Sequence, residues 1–442
     1  MTRSPRPSSG SSGGPTPVRS TTRHCPTGTS PCPPGVASPA GSCATTSAAG
    51  GARPASTRTN CWPRSPTWVA STVRTSSRPP TAPHWSYSGK PPSGKGSTMT
   101  LPDPPQAILT EPITDPTAWL AAELPVPEGV VHELTPAHLD EITALTKALR
   151  TEPLPLLADR EPWRALARRT MPGLSELAHS TAHRTETHIG TAVLRGLPVA
   201  DLAPDEIRGL YRALGAVMGT AVSQNTRGEY IADVRDYGNG GLDNSAVRGH
   251  QTTSALRFHS DDGDLALLLC VRPAADGGTS LIASAMTIYN ELLRRAPHLL
   301  GLYYNGFVYE NRDEEDPPAY RNAVFGYYHG QLTCRYFLRD YVDSSPAVTQ
   351  VPVSDLERHA LDLFEALAAR PGAATEYALR AGDLQLVNNN IVVHSRRSFS
   401  DGAEGGGRLL LRQWVNLDGG RQFPTTLCRH RYGMRKKPDA RD

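Results

Sequence analysis

The first 98 residues contain no Leu, Ile, Phe, Asp or Glu, and this absence constrains the fold more than any other feature of the sequence. The same segment holds 17 of the 40 prolines. Without large aliphatic side chains it cannot bury enough apolar surface to offset the entropy lost on ordering, so we expect residues 1–98 to be a disordered tail. Any folded domain must therefore lie within residues 99–442.

The charge of the chain divides at the same boundary. The tail carries 11 of the 46 Lys and Arg residues but none of the 43 Asp and Glu residues. The tail is therefore basic and the remainder mildly acidic, so the net charge of +3 describes neither part. A nucleic-acid-binding function inferred from the overall charge would depend on the tail alone, and we predict no nucleic-acid partner.

Three interpretations of the tail are open: a basic interaction arm, an organellar transit peptide, or translated upstream sequence that is not part of the native product. Its prolines disfavour the amphipathic helix of a transit peptide. The segment SGKGSTMTLPD favours the third, because Gly-Lys-Gly shortly before Met99 can be encoded by a purine-rich ribosome-binding sequence. We therefore expect translation to begin at Met99 and a chain starting there to be fully active. N-terminal sequencing that finds residues 1–98 in the native protein would refute this.

Cysteine usage and hydropathy suggest a cytoplasmic protein. Four of the seven cysteines lie in the tail, at positions 25, 32, 43 and 61, and Cys270, Cys334 and Cys428 remain in the body. No spacing typical of a zinc ribbon or a disulfide scaffold is present, so a reducing compartment is expected. No apolar run is long enough to cross a membrane, and no signal peptide or internal repeat is seen. The sequence predicts no particular oligomeric state.

Residues 99–442 begin with a helical pattern. Apolar residues at helical spacing predict helices over 136–150 and 204–219, each opened by a proline and by acids in the first turn. The intervening segment 187–198 has the pattern of a strand.

After residue 250 the pattern changes to short apolar strands. Two helices interrupt them, one capped by Ser284 and one opened by Ser354 and Glu357 at the spacing of a capping box. Strands on both sides of a helical insert predict a mixed α/β domain, with a β-sandwich or barrel and helices packed outside it.

The stretch RFHSDDGDLALLLC, residues 257–270, places a histidine two positions before a carboxylate at the edge of an apolar strand. Side chains two apart in a strand share a face, so His259 and Asp261 can point at one ligand. A second histidine would complete the facial triad that leaves open positions on non-haem Fe(II). His394, which ends the apolar strand in NNNIVVHSRRSF, is the candidate. Taken singly, the first motif could equally be a solvated turn, and His394 a structural histidine.

Two arginines follow His394. Arg408 and Arg412 are four apart in RLLLR, so along a strand they share a face with Leu410 between them. An arginine facing a core is unfavourable unless it meets an anion, and its planar guanidinium suits a dicarboxylate. The alternative is an exposed edge strand on which each arginine pairs with Asp or Glu. Together with the histidines and Asp261, the arginines favour a metal site with an anion-binding neighbour.

These elements resemble a known family. HSD at 259–261, DGGTS at 276–280, His394 and Arg408 are similar, in order and approximate spacing, to the motifs of the Fe(II)/2-oxoglutarate-dependent oxygenases of the taurine dioxygenase-like (TauD/TfdA) family. The resemblance extends over TAVSQNTRGEYIADVRDYG and RGHQTTSALRFHSD. It implies a double-stranded β-helix, or jelly roll, with flanking helices. It also implies Fe(II) as cofactor and 2-oxoglutarate and O2 as cosubstrates.

The resemblance also implies roles for individual residues. The iron ligands would be His259, Asp261 and His394. Arg408 would bind the distal carboxylate of 2-oxoglutarate, and Thr279 would donate a hydrogen bond to the same group. Since Thr279 follows Asp261 more closely than in the family, Ser280 is the alternative donor.

The substrate is a small molecule on this interpretation. Arg412 matches the position that meets the substrate's anionic group in taurine dioxygenase-like enzymes, so a carboxylate-bearing amino acid or natural-product intermediate is plausible. Arg412 could instead support 2-oxoglutarate or a neighbouring carboxylate. The amides of Gln224, Asn225 and Gln251 could bind substrate or cap loops. The Gly- and Asn-rich segment 239–249 could be a mobile lid or a surface turn.

The expected reaction is hydroxylation of an unactivated C–H bond. Asp261 argues against a halogenase, since related halogenases have a small residue at that position. Three alternatives are open. One is desaturation or cyclisation at the same iron site, another is a non-catalytic jelly-roll binding protein, and the third is a zinc hydrolase that would work without O2. A pure binding protein would have no reason to keep two histidines, an aspartate and an arginine in this order.

Overall fold

The computed structural model describes residues 107–124, 130–157, 159–238, 247–312, 317–402 and 406–434. These belong to one unit spanning Gly96–Asp442. The tail predicted at 1–98, with its four cysteines, and residues 239–246 of the predicted lid lie outside the described residues. The helices are α1 (Pro136–Thr151), α2 (Arg160–Thr170), α3 (Pro172–Arg184), α4 (Pro204–Met218), α5 (Ala285–Arg295), α6 (Leu300–Asn305), α7 (Asp340–Asp343), α8 (Pro346–Thr349) and α9 (Asp355–Ala368).

The strands are short and most of them follow residue 250, as the sequence pattern predicts, but four of the described strands precede it. They are β1 (Val131–Glu133), β2 (Thr191–Arg195), β3 (Gly219–Val222), β4 (Ile231–Val234), β5 (Leu256–His259), β6 (Leu265–Arg272), β7 (Asp276–Gly277), β8 (Ser280–Ser284), β9 (Phe307–Glu310), β10 (Ala319–Asn322), β11 (Phe325–Tyr328), β12 (Gln331–Cys334), β13 (Ala374–Tyr377), β14 (Leu384–Asn388), β15 (Val392–Arg396), β16 (Phe399–Ser400) and β17 (Leu409–Leu417).

A seven-stranded sheet forms one wall of the domain. Its strands lie in the order β1-β2-β14-β6-β17-β3, and β4 also pairs with β17. The side chains of β6 alternate between two faces, as a strand buried on both sides requires. Leu265, Leu267 and Leu269 pack with helices α1 to α4, whereas Ala266 and Cys270 face the other way. The helices therefore cover the outer face of this sheet.

A four-stranded antiparallel sheet, in the order β13-β8-β15-β5, forms the second wall. The apolar segment GDLQLVNNNIVVHSR, residues 382–396, divides into β14 and β15, which belong to different sheets. Side chains of both sheets share one apolar core, for example Ala266 and Val387 from the first sheet with Ile282 and Val393 from the second. The fold is a jelly roll with flanking helices, so the predicted fold class is confirmed.

The predicted helices form close to the expected bounds, but one detail of the prediction is wrong. Acids do occupy the first turn of α4, as Asp205 and Glu206. The first turn of α1 has none. There Thr135 caps the helix by accepting a hydrogen bond from the backbone N–H of His138. The Thr135 hydroxyl accepts a hydrogen bond from a backbone N–H that has no partner within the helix. An acid elsewhere in the first turn would stabilise the helix only through its charge.

Helix α9 begins with the predicted capping box, which gives a test of local stability. Ser354 Oγ accepts from Glu357 N at 3.3 Å, and Glu357 Oε2 accepts from Ser354 N at 2.9 Å. We expect Ser354→Ala to lower the free energy of unfolding by about 1 kcal/mol, measured by urea denaturation. The control is Ser180→Ala, since exposed Ser180 lies inside α3 and its hydroxyl only bonds carbonyls of its own helix. An equal loss in both variants would contradict the capping role.

None of the described helices is both long and apolar enough to cross a membrane.

Candidate active site

The two predicted histidines lie side by side on neighbouring strands. His259 at the end of β5 is the register partner of His394 in β15, and the imidazole centroids are 4.3 Å apart. Asp261 follows two residues after His259, and its Oδ2 lies 3.6 Å from His394 Nε2. One potential ligand atom from each of the three residues falls within 4.8 Å of the other two. The structure thus brings together the residues that the sequence singled out.

Neighbouring groups orient His259 and Asp261. The Arg257 carbonyl oxygen lies 2.8 Å from His259 Nδ1, which favours a proton on Nδ1 and leaves Nε2 as a lone-pair donor. The backbone of Asp261 is fixed from two sides, because its N–H donates to Asn389 Oδ1 and its carbonyl accepts from Arg335. Arg335, fully buried, also donates to the next two carbonyls, so the whole turn after β5 is held rigidly.

Arg412 clamps the carboxylate of Asp261. Its Nη1 donates to Asp261 Oδ1 at 3.1 Å, and its Nε donates to Gln224 Oε1 at 2.7 Å. Asp261 Oδ2 is buried and accepts no hydrogen bond from any residue that the structure describes. One carboxylate oxygen is therefore occupied by Arg412, while the other faces the two histidines.

Burial and charge set the protonation states of the three residues. Burial alone would raise the pKa of Asp261, but Arg412 and the two imidazoles outweigh it, and the pKa lies below its usual value. Burial lowers the pKa of His259 despite the opposing effect of Asp261. Burial, followed by the charge of His259, lowers the pKa of His394 to about 3. At neutral pH the site therefore holds an ionised carboxylate and neutral imidazoles, the forms that bind metals.

A small cavity adjoins the triad and is lined by Arg408. Only 6% of Arg408 is exposed, yet its guanidinium makes no hydrogen bond or ion pair to the described residues, and Nη1 is fully buried. Asp401 accepts the backbone N–H of Arg408 rather than the side chain. Val234, Leu268 and Leu410 form an apolar part of the cavity wall. A buried cation without an acceptor beside an apolar wall is suited to a carboxylate on a short aliphatic chain.

The DGGTS segment forms the rim of this cavity. Ser280 lines it and donates from Oγ to Gln385 Oε1, whereas Thr279 does not line it. Gly278 has a positive φ of 72°, and a Cβ there would lie 3.3 Å from Arg408 Nε. The glycine thus lets the backbone turn closely around the guanidinium, which accounts for the Gly-Gly pair in this motif.

A larger cavity opens on the other side of His259 and Asp261. The three predicted amides, Gln224, Asn225 and Gln251, all line it. Gln224 donates to the carbonyls of Tyr230 and Arg412 and accepts from Arg412 Nε. Asn225 bonds Glu229 within a tight turn, and Gln251 accepts from Arg248 N. All three amides are therefore used in shaping the cavity wall, and substrate contact by them stays a prediction.

Arg396 lies in the small cavity and was missed by the sequence analysis. It follows His394 by two residues, and the two-residue period of a strand places both side chains on one face. The sequence HSRR therefore indicates that Arg396 lies near His394. Burial, followed by the charge of Arg408, lowers the pKa of Arg396 to about 9. No comparable pattern in the sequence indicates the role of Arg335, because Arg335 donates to carbonyls that lie more than 70 residues away along the chain.

A jelly roll that carries two histidines and one carboxylate at a single point defines a class of protein, the mononuclear non-haem iron oxygenases. The model of the "Taurine catabolism dioxygenase TauD, TfdA family" matches residues 170–414. FR-33289 synthase of Streptomyces rubellomurinus is 40% identical over 336 residues, which cover 74% of this chain and 97% of the relative. The taurine hydroxylase-like protein SAT17 of Stachybotrys chartarum is 26% identical over 306 residues, 66% of this chain and 76% of the relative.

A solved structure shares the fold. Asparagine oxygenase, in complex with Fe(II), 3-hydroxyasparagine and succinate, superposes with a TM-score of 0.50 at 18% identity, covering 64% of this chain and 93% of that one. The chain belongs to the TauD/TfdA family of dioxygenases. It is an Fe(II)- and 2-oxoglutarate-dependent oxygenase that uses O2 and acts on a small molecule, as the sequence predicted.

Proposed function

We propose that this oxygenase hydroxylates an aliphatic C–H bond of a small molecule carrying an anionic group. In this proposal His259, Asp261 and His394 bind Fe(II). Arg408 binds the distal carboxylate of 2-oxoglutarate. The observation that carries the proposal is the convergence of three buried ligand atoms beside a buried arginine whose guanidinium has no acceptor among the described residues.

The triad residues fit Fe(II) in number, type and protonation. Two neutral imidazoles and one carboxylate on one side of the ion leave the remaining positions open for cosubstrates. The free Oδ2 of Asp261 is an orphaned buried acceptor, which a cation would satisfy. With 2-oxoglutarate and O2, the bound iron supplies the oxidising chemistry, and the protein supplies position, charge and exclusion of water.

In this proposal the two cavities bind different molecules. The small cavity holds the side chain of 2-oxoglutarate between its apolar wall and Arg408. The large cavity receives the substrate, since it reaches both His259 and Asp261 and is lined by polar and aromatic side chains. Trp414 lines the large cavity, and its ring centre lies 4.5 Å from the guanidinium carbon of Arg412.

An anionic substrate is supported by Arg412. This side chain lines both cavities, and its Nη2 has no hydrogen-bond acceptor among the described residues. A substrate carboxylate or similar anion could therefore accept from Nη2 while Nη1 keeps its bond to Asp261. The name of FR-33289 synthase is consistent with a role in making a small natural product, and we propose a substrate of that kind.

The experiment that tests the proposal is a substrate screen with Fe(II), 2-oxoglutarate and O2. Small acids and their neutral esters are compared for stimulation of succinate formation, and the products are analysed by mass spectrometry. The proposal predicts that an acid stimulates turnover, its ester does not, and the product gains one oxygen atom. A product that instead loses two hydrogens would show desaturation or cyclisation. Equal stimulation by the esters would contradict an anionic substrate.

A further inference from the structure

Arg396 is a buried, charged side chain near the triad to which the proposed function assigns no role. Only 6% of it is exposed, and it lines the same small cavity as Arg408 and His394. Its Nη2 donates to the carbonyls of Thr252 and Ser254. Its Nε and Nη1 are buried and have no hydrogen-bond partner in the part of the chain that the structure describes. One nitrogen is thus used to hold a loop, and two are left without an acceptor.

Arg396 in β15 and Arg408, just before β17, line the same cavity and contact the same aromatic ring. Their guanidinium carbons lie 4.9 and 5.0 Å from the centre of the same ring, Phe399. Neither arginine forms an ion pair with a carboxylate among the described residues, whereas nearby Arg412 pairs with Asp261. Two buried guanidinium groups that share a cavity repel each other unless an anion lies between them.

We propose that Arg396 is a second cationic ligand for the distal carboxylate of 2-oxoglutarate, acting together with Arg408. The inference rests on the proposed function, since it places the cosubstrate in the small cavity. A carboxylate has two oxygens with several lone pairs, so it can accept from both guanidinium groups at once. The buried Nε and Nη1 of Arg396 supply the donors, and the carboxylate supplies the missing acceptor and counter-charge.

The chain provides a matched control in the next residue. Arg397 has the same chemistry, but 57% of its side chain is exposed and it pairs with Glu376 on the surface. Substituting Arg397 therefore removes one positive charge at nearly the same place in the sequence without changing the cavity. A ligand control is also available, because 2-oxovalerate keeps the 2-oxo acid group and carries a methyl group where 2-oxoglutarate has its distal carboxylate.

The test measures ligand dissociation constants of the anaerobic Fe(II)-loaded full chain by calorimetry, without prime substrate. Arg396→Gln is expected to weaken 2-oxoglutarate binding about tenfold to a hundredfold, in line with the loss of a charge-assisted hydrogen bond. Arg397→Gln should change it less than about twofold, as expected of an exposed ion pair.

Affinity for 2-oxovalerate should be the same in the wild type and in Arg396→Gln. Arg396→Lys keeps the charge and should weaken 2-oxoglutarate binding less than Arg396→Gln does, with no change for 2-oxovalerate. It is the variant to measure if Arg396→Gln does not fold.

Two results would overturn the proposal while leaving the proposed function intact. Unchanged 2-oxoglutarate affinity in both Arg396 variants would show that the carboxylate does not meet this residue. Equal losses for 2-oxoglutarate and 2-oxovalerate would show that Arg396 acts only by holding the loop at Thr252 and Ser254. Failure of the wild-type protein to bind 2-oxoglutarate at all would instead reject the proposed function, and this inference with it.

Discussion

Replacing Asp261 with alanine is expected to weaken Fe(II) binding severely and to abolish coupled 2-oxoglutarate decarboxylation. The substitution removes the only carboxylate of the triad and leaves Arg412 without its partner. His259→Ala and His394→Ala should have the same effect on activity, because each removes one of the three converging ligand atoms. Loss of one ligand from a three-residue site weakens the hold on the ion and changes the positions left for the cosubstrates.

These variants should remain folded, which makes the result interpretable. The three side chains lie at the cavities rather than within the apolar core, so little packing is lost. Circular dichroism and thermal unfolding of the metal-free proteins check this. Metal content after anaerobic loading and succinate formation are then measured on the same samples. Succinate formation at the wild-type rate in any one variant would remove that residue from the proposed ligand set.

Replacing Arg408 with lysine is expected to weaken 2-oxoglutarate binding roughly thirtyfold, which corresponds to about 2 kcal/mol. Lysine keeps the positive charge but loses the planar pair of donors that a carboxylate can accept from together. The effect should be large because Arg408 is buried and has no other acceptor among the described residues.

Arg412→Lys is the matched control, since Arg412 in β17 and Arg408 just before that strand line the same small cavity. Arg412 binds Asp261 and Gln224, so its substitution should weaken Fe(II) and the substrate while leaving 2-oxoglutarate affinity nearly unchanged at saturating Fe(II). Binding of 2-oxoglutarate and its uncoupled turnover are measured in both variants. Equal losses of 2-oxoglutarate affinity would make Arg412 part of the cosubstrate site and would remove the main support for an anionic substrate.

The sequence predicted the parts of the site that depend on local periodicity. His259 ends β5 and Asp261 follows it by two residues, and Arg412 lies in β17 four residues after Arg408, so spacing of two and four residues was enough to group each pair. The resemblance to a family then joined these groups to His394. The capping box of α9 was predictable for the same reason, because both of its partners lie within four residues.

Contacts between distant segments were not predictable in this way. The clamp of Gln224 and Arg412 on Asp261 joins residues 188 and 151 positions apart. Whether Arg412 binds substrate or a neighbouring carboxylate was left open by the sequence, and the structure shows the carboxylate contact. The division of one apolar segment between β14 and β15 likewise depends on how the two sheets close. Such features depend on how distant segments pack together rather than on the secondary-structure propensity of each segment.

The most direct measurement of the central claim is an anaerobic titration of the purified full chain with Fe(II) and then 2-oxoglutarate, followed by visible absorption. We expect a metal-dependent charge-transfer band that saturates at one Fe(II) and one 2-oxoglutarate per chain. The band should be absent in Asp261→Ala and should require more 2-oxoglutarate in Arg408→Lys. Absence of the band in the wild type, or an undiminished band in Asp261→Ala, would contradict the assignment of the metal and cosubstrate site.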